Sequence, residues 1–294
     1  MLLAQTVVAL FFILLTLVPQ VTTVTAATAA APVATGAAPQ KMNVLFLAAD
    51  DMRIQLGADR VPGTPDMSTP HLDALIDRSL FLRKAQCQQA VCSPTRTSLL
   101  TSRYPDTTRV WDLYSWFRDV GGNYTTIPEL FRTHGYETHG CGKIYHPGHA
   151  SGAGSGVPGA SSAGDDYPYS WSTPHYFHAP NLAYWSSKTK QPGCDGCGNS
   201  WISVSPEAEQ SKPLPGTQIA DHAVQKLANF SKNGVGRAGG KPFFLAVGFH
   251  KPHLPFVAPE RFFQSYGLRH SASTACFKRR FRPRLRTHGP SFPH

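Results

Sequence analysis

The chain has 294 residues, which is enough for one large or two small domains. Its formal net charge of +10 does not describe the whole chain, because residues 268–294 are basic and contain no acidic residue. The basic side chains of this tail are Arg269, Lys278, Arg279, Arg280, Arg282, Arg284 and Arg286. Such a run suits heparin or nucleic acid, but its lack of hydrophobic periodicity favours a disordered segment without function. We therefore predict no nucleic-acid partner.

The first residues have the pattern of a targeting signal. Val7–Val18 is an apolar run that is short for a bilayer span, and small residues follow it at Val24-Thr25-Ala26. We predict a signal peptide over residues 1–26, with a signal anchor as the alternative, and a flexible leader over residues 27–41. No membrane segment is expected after cleavage, and the chain is expected to enter the secretory pathway.

Apolar runs and helix caps predict strands that alternate with helices along residues 42–267. The predicted elements are a strand at 43–49, a helix from Thr69-Pro70, a short strand at 79–82, a helix opened by Cys92, a helix at 126–134, a strand at 136–141, an amphipathic helix at 217–230 and a strand at 242–249. Residues 151–164 are expected to be a mobile loop, and residues 165–215 show little periodicity. This order predicts an α/β fold with a mostly parallel central sheet flanked by helices.

Polar clusters follow three of these strands. Asp50-Asp51 follows the first strand, residues 142–148 follow the second of the longer strands, and residues 250–253 follow the last. Ligands of such sheets bind beyond the carboxyl ends of the strands. If the strands are neighbours, the three clusters converge at one edge of the sheet.

Each cluster has a functional and a structural interpretation. Asp50 and Asp51 can bind a hard cation such as Ca²⁺ through a bend in the chain, or form a solvated turn. Lys143 and His146 can bind one anion, or belong to a basic surface loop. A lone histidine is usually structural, but His250 follows a strand and is a better candidate for an acid.

The segment Cys92-Ser93-Pro94-Thr95-Arg96 opens a predicted helix, since Pro94 suits a first helical turn. A thiol at a helix N-terminus lies beside unpaired N–H donors, which lower its pKa and bind anions. The alternative is a small buried apolar side chain, which is the common fate of a free cysteine.

The C-x-P-x-R pattern at Cys92 resembles the signature of the sulfatase family, within the alkaline-phosphatase-like superfamily. In that family the cysteine is oxidised after translation to formylglycine, whose hydrated aldehyde attacks sulfur. Further segments that resemble the family are residues 88–92, 103–109, 167–172 and 243–256. The resemblance extends from about Asn43 to Tyr266 and implies a sulfatase-like catalytic domain over residues 42–267.

The resemblance implies a role for each candidate residue. Asp50 and Asp51 would bind Ca²⁺, and Cys92, as formylglycine, would be both nucleophile and metal ligand. Arg96 would hold the diol, and Lys143 and His146 would bind the sulfate or the diol. His250 would bind the ester and protonate its leaving oxygen. Arg53 would meet a sugar carboxylate as a bidentate partner.

The same resemblance implies partners and a location. The substrate would be a sulfated glycosaminoglycan, and a formylglycine-generating enzyme would act during maturation. The protein would be lysosomal or secreted. Asn123-Tyr124-Thr125 and Asn229-Phe230-Ser231 are sequons, so we predict glycans on Asn123 and Asn229.

The chain departs from the family pattern after His250. Family members carry a second acidic-polar pair and a further lysine, whereas the only acidic residue after His250 is Glu260. The expectation is an incomplete, C-terminally truncated N-terminal domain. Three hypotheses follow: an active sulfatase, a truncated and catalytically inactive relative, and a glycosaminoglycan-binding protein that uses the basic tail.

Overall fold

The computed structural model describes residues 41–59, 66–155, 164–173, 176–188, 201–264 and 266. The predicted signal peptide, leader and basic tail therefore lie outside the described residues, apart from Lys41.

Five strands and nine α-helices make up the described part of the chain. The strands are β1 (Val44–Asp50), β2 (Glu137–Gly142), β3 (Trp201–Val204), β4 (Phe243–Pro252) and β5 (Phe256–Pro259). The helices are α1 (Pro70–Ile76), α2 (Cys92–Thr101), α3 (Pro105–Thr108), α4 (Phe117–Val120), α5 (Ile127–Thr133), α6 (Leu182–Lys188), α7 (Pro206–Ser211), α8 (Pro215–Lys232) and α9 (Glu260–Gln264), with a 3₁₀ turn at His149–Ser151.

The main sheet has the order β1-β4-β2, and both pairings are parallel. The smaller sheet pairs β3 with β5, also in parallel. The α/β fold with a parallel sheet and flanking helices is thus confirmed. Because β1 and β2 both pair with β4, the three predicted polar clusters do leave the sheet at the same edge.

Alternate residues of β4 build a core on each face of the sheet. Phe244 and Ala246 join a cluster with Leu100 of α2, while Leu245 and Val247 join a second cluster with Ile219 of α8. This explains the continuous apolar run in the sequence, since a strand covered by helices on both sides has no polar face.

Helix α5 shows how local sequence sets an element boundary. The Thr126 hydroxyl accepts a hydrogen bond from the Glu129 amide, and the Glu129 carboxylate accepts one from the Thr126 amide. This capping box satisfies two amides at the start of the helix. The chain leaves α5 through Gly135, whose φ of +86° favours glycine.

One predicted element is wrong, and one region contains elements that were not predicted. Residues 79–82 do not form a strand, because Leu80 and Leu82 are 85% and 57% exposed and no described strand pairs with them. Residues 165–215, where little periodicity was found, contain α6, β3 and α7. These are short elements of four to seven residues, too brief to establish a period.

The predicted mobile loop at 151–164 begins inside a 3₁₀ turn and ends beside a buried acidic pair. Ser151 is fully buried within the 3₁₀ turn, and Gly164 leads into the buried pair Asp165 and Asp166. Residues 156–163 lie outside the described residues. In the described part of the chain, no helix has both the length and the apolar character needed to cross a membrane.

Candidate active site at the carboxyl edge of the sheet

Cys92 is the first residue of α2, at the edge of the sheet where β1 ends. Val91 precedes it in an extended conformation, and no side chain caps the helix. Helix α2 is buried almost all round: Ser93 and Thr95 are 1% and 3% exposed, and Pro94 is also buried. The packing of this helix therefore holds Cys92 in place.

Asp50 and Asp51 lie beside the thiol. The Sγ atom of Cys92 is 3.7 Å from Oδ1 of Asp50 and 3.9 Å from Oδ1 of Asp51. Asp51 has a φ of +55°, so the chain turns sharply as β1 ends. This bend is what allows two adjacent side chains to approach the same point, as the sequence predicted for a cation site.

Two cations neutralise the buried carboxylate of Asp50. Arg96 donates to Oδ1 of Asp50 at 2.8 Å, and the ammonium of Lys143 contacts Oδ2. Burial raises the pKa of Asp50, but the charges and hydrogen bonds of Arg96 and Lys143 outweigh it and lower the pKa to about 2. Asp50 is therefore ionised over the whole physiological range.

Arg96 also fixes the loop that carries Lys143. Its guanidinium donates to the carbonyl oxygen of Lys143 and, at 2.8 Å, to that of Ile144. The ammonium of Lys143 in turn lies 3.7 Å from the Cys92 sulfur. Arg96 of the C-x-P-x-R motif thus positions the loop of Lys143, for which anion binding was predicted, and the same motif contains the cysteine.

The thiol of Cys92 is not activated, contrary to the prediction from its place at a helix N-terminus. Burial raises its pKa, and the nearby carboxylates of Asp50 and Asp51 raise it further, against the opposing charges of Lys143 and Arg96. The thiol is therefore protonated at neutral pH, which argues against direct attack by a thiolate.

Two of the predicted histidines share the electrostatic field of Lys143. Burial and the charge of Lys143 lower the pKa of His250 to about 4, and they also lower the pKa of His146. Both rings are neutral at pH 7. A sulfate placed among these side chains would meet two fixed cations and two neutral rings that can donate hydrogen bonds.

The remaining predicted residues are not brought into this cluster. Arg53 is exposed in the loop after β1, and its side chain makes no hydrogen bond or ion pair with another described residue. Asn123 and Asn229 are exposed at other parts of the surface, before α5 and in α8.

His253 was not predicted as a site residue, yet it lies at the site. Its Nε2 is 3.5 Å from Oδ2 of Asp51. Lys251 shapes the turn that carries it, donating to the carbonyl oxygen of His253 at 2.9 Å and to that of Pro255. The second histidine of His250-Lys251-Pro252-His253 was the signal, since both rings leave the same strand end.

These side chains form a candidate metal site. Asp50, Cys92 and His253 each offer a ligand atom, and the three atoms lie within 4.8 Å of one another. Carboxylate oxygens are ligands that Ca²⁺ prefers, but this ion takes about six to eight oxygen ligands. Asp50 and Asp51 supply fewer than that, so water or substrate oxygens would have to complete the shell.

Comparison with known proteins places the chain in a family. The family model described as Sulfatase matches residues 42–276. Iduronate 2-sulfatase of Mus musculus is 38% identical over 233 residues, and that of Homo sapiens is 39% identical over 228 residues. The matches cover 79% and 77% of this chain but only 38% of each relative.

Among solved structures, a chain from work on glycosaminoglycan metabolism in Bacteroides thetaiotaomicron is 20% identical, with a TM-score of 0.45. The match covers 73% of this chain and 45% of that one. The family model spans most of the described residues, including the cysteine motif and the three strand ends that carry the acidic and basic side chains. The chain therefore belongs to the sulfatase family.

Proposed function

We propose that this protein hydrolyses a sulfate ester of a glycosaminoglycan, removing 2-O-sulfate from iduronate in heparan or dermatan sulfate. The observation that carries the proposal is the position of Cys92, whose sulfur lies within 4.0 Å of two carboxylates and an ammonium group. The iduronate 2-sulfatases at 38% and 39% identity support the substrate class.

Cys92 is proposed to act after conversion to formylglycine by a formylglycine-generating enzyme. The Sγ atom then marks the position of the oxygens that replace it. The hydrated aldehyde supplies a diol oxygen as the nucleophile toward sulfur. The raised pKa of the unmodified thiol supports this assignment, because a protonated thiol is a poor nucleophile.

The cationic side chains are proposed to bind the sulfate group. Lys143 supplies a point charge, and Arg96 holds the nucleophile and Asp50 in fixed positions. These charges need no reorganisation as negative charge develops on the ester oxygens, and such preorganisation is usually the largest single contribution to catalysis.

His250 is proposed to act at the leaving oxygen. Its ring is neutral and half-buried beside Lys143. A bound sulfate would offset the charge of Lys143, raise the pKa of His250 and favour the protonated ring that the departing alkoxide needs. His146, on the loop after β2, would donate a hydrogen bond to the sulfate or the diol.

Asp50 and Asp51 are proposed to hold a Ca²⁺ ion, which would withdraw charge from the sulfate and the nucleophile when bound. Arg53 is proposed to meet the sugar carboxylate, because its exposed guanidinium lies two residues beyond this pair. The proposed location is the lysosome or the extracellular space.

The test combines mass spectrometry with an activity assay. Protein secreted from cells that contain the modifying enzyme should carry formylglycine at position 92 and hydrolyse a sulfated iduronate substrate in the presence of Ca²⁺. Cys92→Ala should abolish turnover, whereas Cys87→Ala, at the other free thiol of this region, should not. Full conversion of Cys92 without turnover would favour the catalytically inactive alternative.

A further inference from the structure

The ligand atoms around Cys92 include sulfur and nitrogen as well as oxygen. We propose that the chain binds Zn²⁺ while Cys92 is still a thiol, through Cys92, His253 and the carboxylates of Asp50 and Asp51. Conversion of Cys92 would remove the sulfur ligand, so the metal preference would change as the protein matures. The zinc site itself needs no conversion, and only this change of preference rests on the proposed function.

The distances suit a tetrahedral ion. With Zn–S of about 2.3 Å and Zn–N or Zn–O of about 2.0 Å, neighbouring ligand atoms of a tetrahedron lie about 3.3–3.6 Å apart. The Cys92 sulfur is 3.7 Å from Asp50 and 3.9 Å from Asp51, and His253 Nε2 is 3.5 Å from Asp51. These three separations are thus close to those of a tetrahedral shell.

The chemistry of the ligands selects the metal. Thiolate and imidazole are preferred by Zn²⁺ and are poor ligands of Ca²⁺, which takes oxygen. Asp51 adds a carboxylate that reaches the sulfur with Oδ1 and the imidazole with Oδ2. A set of one sulfur, one nitrogen and two carboxylate oxygens is a complete tetrahedral shell for Zn²⁺.

Zinc binding depends on the proton of the Cys92 thiol and on the positive charges beside the site. The thiol must lose its proton to bind, so each Zn²⁺ that enters releases one proton to solvent and binding weakens as the pH falls. Two cations oppose the ion: the ammonium of Lys143 contacts both Asp50 and the Cys92 sulfur, and Arg96 donates to Oδ1 of Asp50 at 2.8 Å. Removal of the Lys143 charge should therefore strengthen the binding of zinc, whereas it should weaken the binding of sulfate.

The experiment uses the full chain produced in cells that lack the modifying enzyme, with the intact thiol verified by mass spectrometry. Zn²⁺ affinity is measured by competition with a chromophoric chelator. Cys92→Ser and His253→Ala each remove a ligand, so each should weaken zinc binding by about 100-fold or more. Loss of a group that only hydrogen-bonds to a ligand already weakens metal binding by up to about 100-fold. The exposed His134 provides a matched control, and His134→Ala should bind as the parent does.

Two further measurements identify the ligands. Co²⁺ in place of Zn²⁺ should show thiolate-to-metal charge-transfer absorption that Cys92→Ser lacks while its circular dichroism is unchanged. Lys143→Met should bind Zn²⁺ about tenfold more tightly, as expected when a like charge is removed near the ion. Unchanged zinc affinity in Cys92→Ser, or the absence of the charge-transfer band in the parent, would overturn the inference.

The outcome is separable from that of the proposed function. If the thiol form binds zinc but coexpression with the modifying enzyme yields no formylglycine, the proposed function fails and the zinc site stands. If the converted protein hydrolyses the sulfated iduronate substrate and the thiol form binds no zinc, the zinc site fails and the proposed function stands.

Discussion

Arg96 links three other groups of the site through hydrogen bonds. Its guanidinium donates to Asp50 and to the carbonyl oxygens of Lys143 and Ile144, and its side chain is only 8% exposed. A buried ion pair need not stabilise a protein relative to an apolar pair, but removing one partner leaves the other charge and its acceptors unsatisfied.

Replacement of Arg96 should therefore be costly for stability as well as for activity. Arg96→Met should lower the free energy of unfolding by about 3 kcal/mol, the low end for a broken buried pair because Lys143 still contacts Asp50. Urea denaturation measures the change. Arg83→Met is the control, since Arg83 pairs with Asp59 while 64% exposed and should cost under about 1 kcal/mol. Equal losses in the two variants would contradict this account.

His250 should make the protein sensitive to acid. Its pKa is about 4 in the folded chain and about 6.5 when unfolded, so the unfolded state binds a proton first as the pH falls. This contribution to stability is present above about pH 6.5 and is lost as the pH falls toward 4. Between pH 7 and 4.5 the loss should be roughly 2 kcal/mol.

The comparison of urea midpoints at these two pH values isolates this effect. His250→Gln should lose less stability than the parent on acidification, whereas His134→Gln, at an exposed position after α5, should lose as much as the parent. A His250→Gln curve parallel to the parent curve would show that this ring is not responsible.

At the scale of elements, the site depends on how closely β2 and β4 approach. A Cβ atom added to Gly248 would lie 2.0 Å from the carbonyl oxygen of Lys143, and Gly142 has a φ of +72° beside the same backbone. The amide of Lys143 donates to the Gly248 carbonyl at 2.8 Å. The absence of a side chain at these glycines thus allows the backbone of Lys143 to approach β4.

Gly248→Ala should displace the Lys143 backbone and disturb the site from within the sheet. We expect a loss of at least about 2 kcal/mol in the free energy of unfolding, from the steric conflict of an overpacked position, and a loss of sulfatase activity. Gly216→Ala is the matched control, because a Cβ there meets open space at the start of α8. Its stability should be equal to or slightly above that of the parent, and a decrease as large as that of Gly248→Ala would refute the steric argument.

At the scale of the whole molecule, the sheet is covered by different helices on its two faces. Helices α2 and α5 lie against one face and α8 against the other, so the sequon at Asn123, before α5, and the sequon at Asn229, in α8, lie on opposite sides of the sheet. Asn123 and Asn229 are both exposed, and the Oδ1 atom of Asn123 accepts a hydrogen bond from Arg118. The amide nitrogen that a glycan would occupy is not the atom used in that contact.

Both sequons should therefore be glycosylated in secreted protein. Asn123→Gln and Asn229→Gln should each shift the gel mobility by one glycan, and digestion with a glycosidase should bring all forms to the same position. Asn233→Gln changes an exposed asparagine outside any sequon and should leave the mobility unchanged. Secreted protein with no shift in either sequon variant would contradict the prediction.

The long, regular elements could be predicted from the sequence, whereas among the short helices only those whose start is marked by a capping residue or a proline, such as α1 and α5, could be predicted. The buried runs of β1 and β4 and the amphipathic α8 each contain enough residues to show a period or a continuous apolar pattern. Helices α3, α4, α6 and α9 and strands β3 and β5 have only four to seven residues. Residues 79–82 resemble a strand locally, but a strand also needs a partner, and the described sheets provide none.

The sequence by itself determined the family, the strand ends that carry the polar clusters, and most of the candidate residues, because those signals are local and depend on residue type and spacing. Only the tertiary structure decided that Cys92 is a protonated thiol, that Lys143 contacts Asp50, and that His253 meets Asp51. The physical reason is that burial and charge act through space. The pKa of a thiol at a helix N-terminus depends on carboxylates that are 41 and 42 residues away in the chain but lie within 4.0 Å in the fold.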